Sequence, residues 1–119
     1  MSSSNIKIRI PYGELSAMGP GKADLLDAIE SSGSISAAAR NLGMSYKRAW
    51  DLVDTMNRCF SQPLVLTATG GSHGGGAQVT EFGHMVLRRY RALIAKAEQS
   101  VAAELQELVA MLASSAAEK

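Results

Sequence analysis

The chain of 119 residues has a single cysteine, Cys59, and two histidines. An internal disulfide is therefore excluded. The thiol, near Met56 and Phe60, is expected to be buried in a protein of a reducing compartment. His73, His84 and Cys59 lack the spacing of a zinc site, so no metal is expected. No paired carboxylates and no Ser/His/Asp set converge by spacing, so the chain does not read as an enzyme and no cofactor is expected. A run of about 18 uncharged apolar residues is missing, which argues against a membrane span. The opening MSSSNIKIRIPYG holds no apolar stretch of signal-peptide length. These absences point to a cytoplasmic protein. Aromatics are few, with three Tyr, two Phe and one Trp, so the core must be built from Leu, Ile, Val, Ala and Met. The formal charge of +1 does not weigh against nucleic acid, because a binder needs its cations on one face rather than in excess.

What is present reads as a mainly α fold. Ile6, Ile8 and Ile10 alternate with Lys7 and Arg9, the pattern of a short edge strand that Pro11 should stop. A first helix is expected over 19–32, with Leu25, Leu26 and Ile29 as its apolar stripe and Gly33 as its end. Ser34 caps a second helix, 35–42, whose Ala37, Ala38 and Ala39 permit close helix packing. Gly43 supplies the turn. Ser45 caps a third helix to about Phe60, with Ala49, Trp50, Leu52, Val53 and Met56 as its apolar positions, and Trp50 is expected to anchor the core. Strands are expected at 64–69 and 77–80. The seven residues between them, five of them glycine, suit a flexible hairpin tip. Thr80 caps a final helix that could run unbroken to Leu112, roughly 50 Å at 1.5 Å per residue. That helix repeats Tyr90, Leu93, Ala97, Val101, Leu105, Leu108 and Leu112 at spacings of three and four, a seam that wants a partner helix. The division expected is 1–80 for the head and 81–119 for a dimerisation helix.

Two helices joined by a glycine turn, the second opening with polar and cationic residues, form the geometry that offers side chains to a DNA major groove. Ser45, Tyr46, Lys47 and Arg48 are the candidates there. Lys47 or Arg48 could donate to guanine O6 and N7, while Tyr46 could reach a phosphate or a thymine methyl. Ser34, Ser36 and Arg40 are candidate phosphate contacts. In the glycine loop, Ser72 and His73 could meet backbone or minor groove. The same loop could in principle cradle a nucleotide, but neither G-x-x-x-x-G-K-[ST] nor G-x-G-x-x-G is present.

The segments GSISAAARNLGMSYKRAWDLVDTMN (33–57), PLV (63–65) and GG..GGGAQVTEFG (70–83) resemble the DNA-binding domain of the ModE family of molybdenum-responsive regulators. GPGKADLLDAIE resembles that family's first helix, and the likeness covers about residues 10–95. LysR-type regulators are more distant relatives, sharing SISAAAR and TEFG-like features but lacking SYKRAW and the glycine wing. The resemblance implies a winged helix-turn-helix dimer on double-stranded DNA, with 45–48 opening the recognition helix and 71–76 forming the wing. Family members carry a further C-terminal molybdate-binding region. This sequence stops at Lys119, so molybdate binding by this chain is not expected; it reads either as a piece of a longer protein or as a naturally short member, and Met1 with the tapering tail favours the second. The reading from another class is an interaction module that heterodimerises with a larger regulator and has little DNA affinity of its own.

Overall fold

The computed structural model describes residues 6–68 and 76–113. The chain opens with a hairpin, β1 (Ile10–Tyr12) and β2 (Leu15–Met18), antiparallel, with a register shift between Ile10 and Pro11. This differs from the expected strand, which ended at Pro11. A proline costs nothing on a strand whose outer edge has no hydrogen-bonding neighbour, so Pro11 sits inside β1 and the chain turns two residues later. The burial alternation of Ile6, Ile8 and Ile10 holds, all three half-buried with Lys7 and Arg9 outside, but of the expected strand only Ile10 belongs to β1 and residues 6–9 precede it.

Three helices follow: α1 (Pro20–Ser32), α2 (Ile35–Leu42) and α3 (Tyr46–Cys59). Each start or stop has a local cause. Pro20 stands at the first turn of α1, where its missing N–H is harmless. The Ser34 hydroxyl accepts from the Ala37 amide at 3.0 Å and the Ser45 hydroxyl from the Arg48 amide at 3.0 Å, satisfying donors that helix geometry leaves orphaned. Gly43 adopts φ 70, and the Met44 amide closes back on the Ala39 carbonyl at 3.0 Å, a left-handed end that side-chain-bearing residues adopt at a cost.

The core lies where these helices meet. Leu25, Leu26 and Ile29 from α1, Ala38 and Ala39 from α2, and Ala49, Val53 and Met56 from α3 are buried together with Met18, Leu64, Val65 and Val79. A second hairpin, β3 (Val65–Ala68) with β4 (Gly76–Val79), runs antiparallel from Val65↔Val79 to Ala68↔Gly76. Its base is fixed on two sides. The Ala77 amide donates to the Gly33 carbonyl at 2.8 Å. The Asn57 side chain behaves as a strand fragment, its Oδ1 accepting from the Leu64 and Val65 amides at 2.8 and 3.3 Å and its Nδ2 donating to the Val65 carbonyl at 3.0 Å.

The last segment departs from the expected single helix. α4 (Glu81–Ser100) ends at Val101, whose φ −114 and ψ 12 leave helical geometry, and α5 (Ala102–Ala110) resumes beyond it. The Val101 amide still reaches the Ala97 carbonyl, and the Val101 carbonyl still accepts from Leu105, so the break is one residue wide. The start of α4 is joined to β3 through Thr80. Its amide donates to the Leu64 carbonyl at 2.9 Å, its hydroxyl donates to the Pro63 carbonyl at 2.8 Å, and that hydroxyl caps the Gly83 amide at 2.9 Å. The core continues into α4 as far as Tyr90 and Ile94, while α5 has no buried residue. The molecule accordingly extends 56 Å in its longest direction against 32 and 27 Å. None of the described helices is long and apolar enough to cross a membrane.

Candidate nucleic-acid interface

The surface around the start of α3 gathers most of the candidates read from the sequence. Ala49, Val53 and Met56 recur at helical spacing and are buried, which fixes the rotation of α3. Tyr46, Lys47, Arg48 and Ser45 are thereby left on the outside. Lys47 forms an i,i+4 pair with Asp51 at 3.1 Å, and Arg58 pairs with Asp54 at 3.1 Å. Such exposed pairs contribute about 0.3–0.5 kcal/mol, little enough that Lys47 is free to exchange its carboxylate for another anion. Arg48 has no ion pair among the described residues. It lies close to Lys22 of α1. Burial holds the Lys22 ammonium below its ordinary pKa; neighbouring Cys59 opposes the shift, and Arg48 and Arg9 add to it. Arg9, Lys22 and Arg48 thus share one electrostatic neighbourhood, which also takes in Cys59 at the other end of α3.

Across the turn, Ser36 and Arg40 are exposed on α2, whereas Ser34 is half-buried with its hydroxyl engaged as the cap. Ser72 and His73 lie outside the described residues. His84, on α4, places Nε2 3.3 Å from Glu30 Oε1 on α1, in keeping with a structural role. Cys59 is half-buried rather than buried as expected. Among the described residues no cluster of three or more His, Cys, Asp or Glu could hold a metal ion.

Two expectations need correction. Trp50 is not a core anchor: it is 45% exposed, beside Tyr46 at 55%. The cause is helix phase. One residue is a rotation of about 100°, so the side chain after buried Ala49 falls on the rim of the buried stripe however large it is. Tyr90, expected in the intermolecular seam, is buried in its own chain at 5% exposure and donates its hydroxyl to the Ile8 carbonyl at 2.6 Å. Burial also raises its phenol pKa, against the opposing pull of Arg91. Arg91 in turn reaches Asp24 and Asp27 of α1. The rest of the seam faces outward or nearly so: Leu93, Val101, Leu108 and Leu112 are exposed, and Ala97 and Leu105 half-buried. Asn57 and Thr80, which position the hairpin, were not singled out as its supports. The one hint for Asn57 was an amide in the last turn of a helix just before a Pro-Leu-Val strand.

No family model matches the chain. Individual proteins do. It is 51% identical over 69 residues, 58% of its length, to the molybdenum transport protein ModE of Azotobacter vinelandii. It is 47% identical over 76 residues, 64% of its length, to the molybdenum-pterin-binding protein MopA of Rhodobacter capsulatus. To the DNA-binding transcriptional dual regulator ModE of Escherichia coli it is 45% identical over 74 residues, 62% of its length. The matches span only 26, 29 and 28% of those proteins. Over the stretch it shares with them, carried on a mainly α winged-helix fold, the chain is a homologue of the ModE proteins.

Proposed function

We propose that this chain is a sequence-specific DNA-binding transcriptional regulator that acts as a homodimer. In this reading α3 enters the major groove and the loop at 70–76 follows backbone or minor groove. The observation that carries it is the start of α3. A buried stripe locks the helix while Ser45, Tyr46, Lys47 and Arg48 face outward, with Arg9 and Lys22 in the electrostatic neighbourhood of Arg48 and with Ser36 and Arg40 across the turn. The printed name of the Escherichia coli relative supports the same reading. The partners assigned are double-stranded DNA and a second copy of the chain. The molybdenum in other relatives' names is not carried over.

Fluorescence anisotropy with the chain's own upstream promoter DNA and a scrambled duplex, across a salt series, tests this. Preference for the promoter and a steep loss of affinity with salt are expected, because released counterions drive phosphate contacts. Arg48→Ala should lose about 1–3 kcal/mol at a single base position. A loss equal on all sequences would make Arg48 a phosphate contact instead.

The exposed apolar residues of α5 favour one second reading, a module that pairs with a larger regulator and has little DNA affinity of its own. Equal binding to promoter and scrambled duplex, with a heterodimer on size-exclusion mixing, would select it.

A further inference from the structure

We propose that Trp50 is a base-contacting residue whose indole, next to Tyr46, packs on a thymine methyl in the major groove; this rests on the DNA-binding reading above. Three observations lead there. Tyr46 and Trp50 stand four residues apart on α3 and are exposed at 55 and 45%, so they form one aromatic ridge on the helix surface. The ridge adjoins charge: Lys47 and Asp51, paired with each other, each follow a ridge residue by one position, while Arg48 stands about 160° round the helix. Among the described residues neither the Trp50 indole N–H nor the Tyr46 hydroxyl has a hydrogen-bond partner, so both exposed polar tips face water and are open to a ligand.

An aromatic ridge bordered by a paired cation and carboxylate suits the polar edges of a major groove better than an apolar protein face. Thymine presents a methyl group there beside an acceptor oxygen, matching an indole that offers a flat apolar surface and an N–H. Tyr46 and Trp50 are separated by about 6 Å of helix rise, close to two steps of about 3.4 Å along one DNA strand. The two rings would therefore address different base pairs, with Trp50 setting a thymine requirement that Lys47 and Arg48 do not.

The test uses the full chain and a duplex selected from a random library by the wild-type protein. Each thymine in turn is replaced by uracil, which removes the methyl and nothing else. One position should weaken wild-type binding about fourfold, the worth of one buried methyl. Trp50→Ala should bind the parent duplex more weakly and be indifferent to uracil at that position alone, and Trp50→Phe should keep part of the sensitivity. Since this is the sole tryptophan, its emission should change as anisotropy saturates. Identical uracil profiles for wild type and Trp50→Ala, or an unchanged emission at saturation, overturn the assignment while leaving DNA binding intact. Normal DNA affinity in Trp50→Ala with a lost dimer would make the ridge a protein contact. Failure to select any duplex overturns the DNA-binding reading itself.

Discussion

At the scale of single residues, the charge arrangement on α3 is a balance rather than a patch. Lys47 and Asp51 neutralise each other in the free chain, as do Arg58 and Asp54. A carboxylate beside the reading cations repels phosphate everywhere along a duplex but can accept from cytosine N4 at one place. It therefore raises discrimination at the expense of general affinity. Asp51→Asn should bind a scrambled duplex several-fold more tightly and narrow the ratio between promoter and scrambled DNA. Competition anisotropy measures both, and an unchanged ratio would remove Asp51 from the reading surface. Trp50 makes the neighbouring point about legibility. Its place among Ala49 and Val53 suggested burial, but the helix phase set by Ala49, Val53 and Met56 places it on the rim.

At the scale of elements, the junction of β3 with α4 holds the most closely packed glycine among the described residues. A Cβ at Gly83 would stand 2.4 Å from the Leu64 carbonyl oxygen and 2.9 Å from Val79 Cγ1. Alanine would gain about 1 kcal/mol of helix propensity. Against that, the carbonyl in its way already accepts from the Thr80 amide and cannot retreat without breaking that bond, on top of an overpacking cost of about 1–3 kcal/mol. The clash wins, and Gly83→Ala should lose about 1–2 kcal/mol of unfolding free energy in urea. Tyr90 ties α4 to the segment ahead of β1. Its folded-state phenol pKa is raised, so its contribution is fully present below the ordinary phenol value of about 10 and is lost as pH rises through the higher folded-state value. The phenolate can no longer donate to Ile8. Urea melts between pH 8 and 11 should find Tyr90→Phe less stable than wild type at pH 8 by about 0.5–1.5 kcal/mol, with the gap closing at the alkaline end.

The helices of this architecture were legible because their signals are local. Ser34 and Ser45 cap, Gly33 and Gly43 terminate, and apolar spacing gives the faces. What escaped depends on partners distant in sequence or on cues with two meanings. Pro11 marks the end of a strand or a place on an edge strand, and only the pairing across Gly13, at φ 60, decides between them. The break at Val101 has no proline or glycine to announce it. Tyr90 fits an intermolecular seam by spacing, yet its hydroxyl finds Ile8 more than eighty residues earlier.

At the scale of the whole molecule, the head and the projecting α5 have different needs. The head buries its stripe internally. Beyond Ile94 the chain exposes Val101, Leu108, Val109 and Leu112, the last two leucines at 63 and 66%. In the proposed dimer these residues meet their copies. Leu108→Glu combined with Leu112→Glu should shift sedimentation equilibrium toward monomer by tenfold or more in dissociation constant while leaving the melting of the head nearly unchanged. A dimer of wild-type strength would place the interface elsewhere. Val101 departs from helical geometry seven residues, about two turns, beyond Ile94, so the break lies clear of the core.

Asn57 has a consequence of a different kind. A two-stranded hairpin ordinarily advertises its outer edge to any extended chain that passes, and such edges seed unwanted assembly. Here one carboxamide already fills the amide and carbonyl of Val65 on that edge. It acts as a stopper: no foreign strand can zip onto β3 from its base without first evicting a side chain of the protein's own third helix.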